Sequence, residues 1–243
     1  MPLKEEFERS GNKLFRWRSY LPLLVLPLVV ISILPPGKDS PVADLWDVFC
    51  LLISITGLAV RILTVGYVPA GTSGRNTRKQ KAEKLNTGGM YSIVRHPVYL
   101  GNSLIWLGMV MFSKSLWCIG VSLLIFWLYY ERIMFAEEEF LRRKFKNLYL
   151  EWAERTPAFI PKFKNWRSPD LEFSVKSVIS REYTTLFVIS LYYVFMESFE
   201  DIVQNGVFEM ETFWQVVLVG VSLFYFSIRL VKKKGSILKE TGR

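Results

Sequence analysis

The stretch Gly88-Gly-Met-Tyr-Ser-Ile-Val-Arg-His-Pro-Val-Tyr-Leu-Gly101 gathers Arg95, His96 (the chain's one histidine), Tyr91 and Tyr99 at the entry to an apolar segment. An Arg–His pair at a boundary between water and apolar surroundings can hold an anionic group where each hydrogen bond counts for more than in water. Further along, Glu131, Glu137 and Glu138 supply the opposite sign. If both groups face one cavity, the ligand they suit is a zwitterion, such as an amino acid or a cofactor that ends in one.

The elements that must position these residues are membrane helices. Hydrophobic residues make up 51% of the chain and aromatic residues 15%, which is high for a soluble protein of this length. They cluster in Tyr20–Leu34, Leu45–Val60, Val98–Phe112, Leu116–Tyr130, Tyr183–Phe199 and Phe213–Val231. The expected fold is therefore an all-α integral membrane protein of about six transmembrane helices, with the first and third short enough to cross only partly. Pro97 suits the first position of a helix, where its missing N–H is not needed. Ser113-Lys114-Ser115 reads as the turn of a tight hairpin, with Gly101, Gly108 and Gly120 allowing close helix approach. The second arm is expected to continue past the membrane surface to Phe145, aligning Glu131, Phe135 and Glu138 on one face. Glu138 with Arg142 and Glu139 with Arg143 also have the i,i+4 spacing of exposed ion pairs.

Charge supports that topology. Lys and Arg concentrate in the N-terminal segment, the second loop, the fourth loop and the C-terminus, and are sparse between them, which places both termini in the cytoplasm. The same pattern accounts for the net charge of +9 without nucleic-acid binding. The first apolar run ends in Ser32-Ile-Leu-Pro-Pro-Gly37, which lacks a small-residue cleavage site, and reads as a retained anchor. Cys50 and Cys118 fall within expected spans, so neither a disulfide framework nor a metal site is expected. Arg61, deep in the second helix, either snorkels to the interface or lines a headgroup pocket. Gly71-Thr-Ser-Gly74, followed by Arg75 and Arg78, is either a solvated basic loop or a phosphate-binding one with backbone N–H groups, hydroxyls and guanidinium forks.

Leu85 to Gly101, then Glu137-Glu-Glu-Phe-Leu141, Phe145, Tyr149, Trp152 and Pro157-Ala-Phe-Ile-Pro161, resemble the integral-membrane methyltransferases typified by isoprenylcysteine carboxyl methyltransferase, with the phosphatidylethanolamine methyltransferases as related proteins. The resemblance spans about residues 45 to 163. It implies S-adenosylmethionine as methyl donor, bound at the cytoplasmic end of the helices, and a lipidic acceptor from the bilayer. Carried over by motif, the cofactor-binding residues are Tyr91, His96, Pro97, Tyr99, Gly101, Glu137 and Glu138. A glutamate would hold the donor's ammonium and His96 its carboxylate or adenine edge, leaving Arg95 for the acceptor. Arg95, Glu131 and Glu138 are the candidate catalytic residues, and Arg61, Arg75 and Arg78 the candidate substrate-binding ones. Three positions depart from the family's usual pattern: Met90 stands for Pro, Lys146 for Gly and Trp152 for Tyr.

An anionic oxygen acceptor needs only positioning, whereas an amine would need a base such as Glu131 or Glu138. The basic loop tilts the acceptor toward a lipid phosphate, and the stretch resembles bacterial relatives associated with methylation of lipid A phosphate, which points to a bacterial inner membrane. An isoprenylated cysteine carboxylate and phosphatidylethanolamine are the alternatives. In another class, membrane sterol reductases share an Arg-His-Pro-x-Tyr segment and bind NADPH, but tend to have Asn where Val98 stands and an acidic residue where Asn102 stands. The expected division is a core at residues 1–165, including the N-terminal anchor, and a two-helix extension at 166–243. Oligomeric state is left open.

Overall fold

The computed structural model describes residues 2–34, 41–69, 80, 82–206, 208, 210–234 and 238. Arg75 and Arg78 lie outside the described residues. Regular structure among the described residues is entirely helical: α1 Leu3–Trp17, α2 Leu26–Ile33, α3 Pro41–Val65, α4 Met90–Ile93, α5 Pro97–Met111, α6 Leu116–Phe145, α7 Asn147–Arg155, α8 Val175–Asn205 and α9 Thr212–Lys234, with short 3-10 turns at Leu21–Val25 and Phe163–Asn165.

Among the described residues, three helices are long and apolar enough to cross a membrane: Leu45–Val65 of α3, then α6 and α9. Leu23–Ile33 and Pro97–Met111 are apolar but shorter, rising only about 16 and 22 Å against a hydrocarbon core of roughly 30 Å. These are the two segments expected to be short. The remaining expected span, Tyr183–Phe199, forms the middle of the 31-residue α8.

The centre of the molecule is the packing of α3 against α5, with α8 laid across both. Gly108 of α5 sits so close to α3 that a Cβ there would lie 2.3 Å from the Cys50 carbonyl oxygen and 2.4 Å from Ser54 Oγ. Gly101 meets α3 in the same way, at the Gly57 carbonyl and the Arg61 stem. The small residues therefore serve the α3–α5 contact and not the hairpin for which they were expected, and Gly120 has nothing within 4 Å of its Cβ position. The reason is complementarity: α3 offers its own small residues, Cys50, Ser54 and Gly57, while α6 meets α5 through large polar and aromatic side chains, Tyr130 and Glu137 against Asn102 and Tyr99. Ser54 Oγ joins the three helices, donating to the Ile105 carbonyl at 3.0 Å and sharing a hydrogen bond with Tyr193 of α8 at 2.9 Å.

The hairpin turn falls at 113–115, where Lys114 adopts φ 53° and reaches Asp47 at 3.1 Å and Glu200 at 3.0 Å. α6 then runs unbroken to Phe145. Its C-terminal half is covered by the amphipathic α1, through an edge-to-face contact of Phe7 with Phe135 and a close approach of Gly11 to the Arg132 carbonyl. This cover redirects the charges. Arg143 pairs with Glu8 at 3.0 and 2.5 Å and not with Glu139, which takes Lys4 at 3.0 Å and Arg142 at 3.3 Å. Glu138, expected as a partner of Arg142, turns inward. Lys146 breaks the helix at φ 48° and ψ −121°, a region essentially restricted to glycine, which is the residue the family pattern favours there.

Candidate active site

The Arg95-His96 corner is built by backbone pairing with a segment about sixty residues on. The Arg95 N–H donates to the Pro157 carbonyl at 2.9 Å and the His96 N–H to the Ala158 carbonyl at 3.2 Å, while the Ile93 carbonyl accepts from Lys162 N–H at 2.9 Å. Pro97 then opens α5 at its first turn. Trp152 of α7 donates from Nε1 to the Tyr91 carbonyl at 3.0 Å. The separated pieces of the motif are thus one structural unit.

Across the hairpin, α6 delivers two carboxylates. Glu138 accepts from Arg95 Nη1 at 3.1 Å and lies 2.9 Å from His96 Nε2. Glu137 accepts from the Tyr99 hydroxyl at 2.8 Å, faces His96 Nδ1 at 3.8 Å and lies 4.0 Å from Arg18. Consecutive residues on a helix diverge by about 100°, so the pair brackets the imidazole from both sides. Arg95 Nη1 also reaches the Tyr149 hydroxyl at 3.4 Å. Burial, then the neighbouring Glu137, pushes the Tyr91 hydroxyl well above its usual range. Tyr149 is raised in the same way, by burial and then by Glu138. Both remain neutral donors at physiological pH.

These groups line a cavity of about 740 Å³, within the roughly 300–1,000 Å³ typical of small-molecule sites. Tyr91, Arg95, His96, Pro97, Tyr99, Glu137, Glu138 and Arg61 all contribute to its wall. Glu131 and Gly101 do not. Glu131 shares a face with Glu138 but sits about 10 Å further along the helix axis, and Gly101 is spent on the close approach to α3. Two buried donors on the cavity wall, Arg95 Nε and Gln80 Nε2, make no hydrogen bond among the described residues. A donor molecule carrying an ammonium, a carboxylate and a heteroaromatic base fits this set: carboxylates for its cation, unsatisfied N–H groups for its acceptors, and apolar walls for the rest.

The sequence reading missed several residues of the wall. Asn102, one position past the motif, donates to the Tyr130 hydroxyl at 3.0 Å. Arg18 arrives from the segment after α1, and Arg181 and Glu182 arrive from α8. Arg61 neither snorkels nor stands free, because Glu182 grips it at 2.8 and 2.9 Å. The one available signal was an arginine and a carboxylate, Arg61 and Glu182, each at the edge of an apolar run.

Residues 49–147 match the family model described as phospholipid methyltransferase. The chain is 37% identical over 127 residues to the cobalt-zinc-cadmium resistance protein CzcN of Cupriavidus metallidurans, covering 50% of this chain and 56% of that protein. It is 31% identical over 147 residues to the nickel-cobalt-cadmium resistance protein NccN of Alcaligenes xylosoxydans xylosoxydans, covering 60% and 65%. Protein-S-isoprenylcysteine O-methyltransferase B of Arabidopsis thaliana is 37% identical over 86 residues, or 35% of this chain and 43% of the plant protein. The matches thus span less than two thirds of these relatives' own lengths. No solved structure matches the chain.

Proposed function

We propose that the protein is an integral-membrane methyltransferase of the phospholipid and isoprenylcysteine carboxyl methyltransferase type, using S-adenosylmethionine to methylate a lipidic acceptor; the match of residues 49–147 and the similarity to the plant O-methyltransferase support this reading. The observation that carries this reading is the meeting of Glu137 and Glu138 with Arg95, His96 and Tyr99 in one cavity open to both signs of charge.

When bound, S-adenosylmethionine supplies an electrophilic methyl group on a sulfonium. The chain's part is to orient and to exclude water, since charge is neutralised in the displacement and a dry, preorganised cavity favours it. Glu137 and Glu138 would hold the ammonium, His96 is fixed between them, and Arg95, anchored on Glu138, would position an anionic oxygen of the acceptor. An oxyanion acceptor needs no base. An amine would, and Glu131 lies off the cavity while Glu138 is already engaged by Arg95 and His96. This favours O-methylation, as do the relatives named O-methyltransferases.

We assign the acceptor as a lipid phosphate such as that of lipid A, on the strength of the basic Thr72–Arg78 loop with its hydroxyls. The relatives' names support a prenylcysteine carboxylate as the alternative. The site end of the bundle is assigned to the cytoplasmic face of a bacterial inner membrane. Arg16, Arg18, Arg142, Arg143 and Lys232 gather at that end, Lys232 donating to the Ser180 carbonyl at 2.8 Å, and Asp47 and Glu200 lie at the other.

Calorimetric titration of the purified chain with S-adenosylmethionine, and separately with NADPH, tests the class. Saturable heat with the first alone is expected, and heat with NADPH alone overturns the reading. Membranes incubated with methyl-labelled donor and analysed by mass spectrometry identify the acceptor: label in a phosphorylated lipid is expected, and label confined to prenylated cysteine or to an amine headgroup overturns the phosphate assignment.

A further inference from the structure

Arg61 and Glu182 form a buried bidentate ion pair, with side chains 16% and 5% exposed, between α3 and a helix that lies outside the family segment. The pair does not end there. With two guanidinium nitrogens fixed on the Glu182 carboxylate, the third donates to Asn102 Oδ1. A guanidinium only donates, so the Asn102 amide must present its oxygen to Arg61 and its NH2 to the other side. There Nδ2 donates to the Tyr130 hydroxyl at 3.0 Å. The Tyr130 ring is held by stacking on Phe126 at 4.2 Å and packs edge-on against Tyr99 at 4.9 Å. Tyr99 in turn donates to Glu137 at 2.8 Å. Gly101 belongs to the same arrangement, since a Cβ there would come within 2.6 Å of Arg61 Cγ.

We infer that Glu182 is a positioning residue for the donor end of the site, acting through Arg61, Asn102, Tyr130 and Tyr99 to fix Glu137. The inference rests on the methyltransferase reading and extends it: α8 orients a carboxylate of the cavity that is carried by α6. The links from Glu182 through Arg61 and Asn102 to Tyr130, and from Tyr99 to Glu137, are hydrogen bonds of fixed polarity, and ring packing joins Tyr130 to Tyr99, so rotation of Arg61 releases the Asn102 amide and then the two tyrosines. Ordering of this chain before ligand arrives lowers the reorganisation that binding requires.

The test is the dissociation constant for S-adenosylmethionine, with the melting temperature, for the wild type, Glu182→Gln, Glu182→Asp, Asn102→Ala, Tyr99→Phe and the double variants. Asn102→Ala cuts the relay while leaving the ion pair intact, so it reports even if Glu182→Gln folds poorly. Glu182→Gln and Asn102→Ala are each expected to weaken donor binding by roughly 2- to 30-fold, with Glu182→Asp recovering part of the loss. Combined with each other or with Tyr99→Phe, they should weaken it no further than the worse single variant. Independent, multiplying losses overturn the relay, as does a lowered melting temperature at unchanged affinity or a change confined to acceptor KM. A wild-type chain that gives no heat with S-adenosylmethionine sinks the methyltransferase reading and this inference together, whereas wild-type binding with unaltered variants sinks this inference alone.

Discussion

His96 Nε2 lies 2.9 Å from Glu138 Oε1, so the histidine that ends the approach to α5 is locked to a carboxylate on the opposite arm of the hairpin. The same carboxylate carries Arg95. Replacing it leaves a guanidinium and an imidazole in the cavity without their anion. Glu138→Gln should lower kcat/KM by roughly 100-fold, or about 2.7 kcal/mol of transition-state stabilisation. Glu139→Gln, one residue on but facing Lys4 and Arg142, should change it by less than about twofold. Initial rates with labelled donor make the comparison, and equal losses would remove Glu138 from the site.

The basic loop should act on the acceptor alone. Arg75→Gln together with Arg78→Gln is expected to raise acceptor KM by about tenfold through lost charge-assisted hydrogen bonds. Donor affinity measured by calorimetry should stay unchanged. Equal loss of both would end that division of labour.

Close approach of α3 and α5 predicts opposite outcomes for two glycines of the apolar hairpin. Gly108→Ala forces a Cβ against α3 backbone and should destabilise the protein by about 1–3 kcal/mol. Gly120→Ala meets nothing and should stabilise α6 by up to about 1 kcal/mol through helix propensity. Thermal unfolding in detergent reads both, and a Gly108→Ala melting temperature at or above wild type would contradict the packing.

At the α6–α7 junction, Lys146 holds φ 48° and ψ −121°. Lys146→Gly removes that backbone strain and should raise stability by about 1 kcal/mol or more. A drop in the melting temperature would mean that the lysine side chain contributes more than its backbone costs.

Acid should loosen α1 from α6. The Arg143 hydrogen bond holds the Glu8 carboxyl below its ordinary value of 4.5. The stabilisation from this pair is therefore complete above pH 4.5 and is lost as pH falls through the lower, folded-state value. Protection of the α1 amides, measured relative to their intrinsic exchange at each pH, should fall over that acid range in the wild type. Glu8→Gln should be less protected at neutral pH and lose little further protection with acid, and a wild-type protection profile as flat as the variant's would refute the pairing.

Much of the site was legible because sequence-local rules govern it. Pro97 marks a helix start, residues 113–115 mark a turn, and the uninterrupted helical pattern to Phe145 carries the glutamates past the apolar segment. A hairpin with those properties returns Glu137 and Glu138 to the end where Arg95 and His96 stand, whatever its neighbours do. The positive φ at Lys146 falls where the family pattern favours glycine, since that preference reflects a local backbone requirement.

What the chain alone could not specify are relations that depend on how separate helices rotate and at what depth they meet. Spacing on α6 allowed Glu138 to face Arg142 in solvent or Arg95 in the cavity, and placed Glu131 on the same face with no measure of its distance from the cavity. The docking of α1, which takes Arg143 and Glu139 out of play, and the setting of α8, which brings Glu182 to Arg61, decided these questions. Composition and periodicity determine which residues sit on one helix and at which end of it. Only the packed structure decides partners between helices, because a buried charge settles on whichever opposite charge the tertiary contacts bring within hydrogen-bond reach.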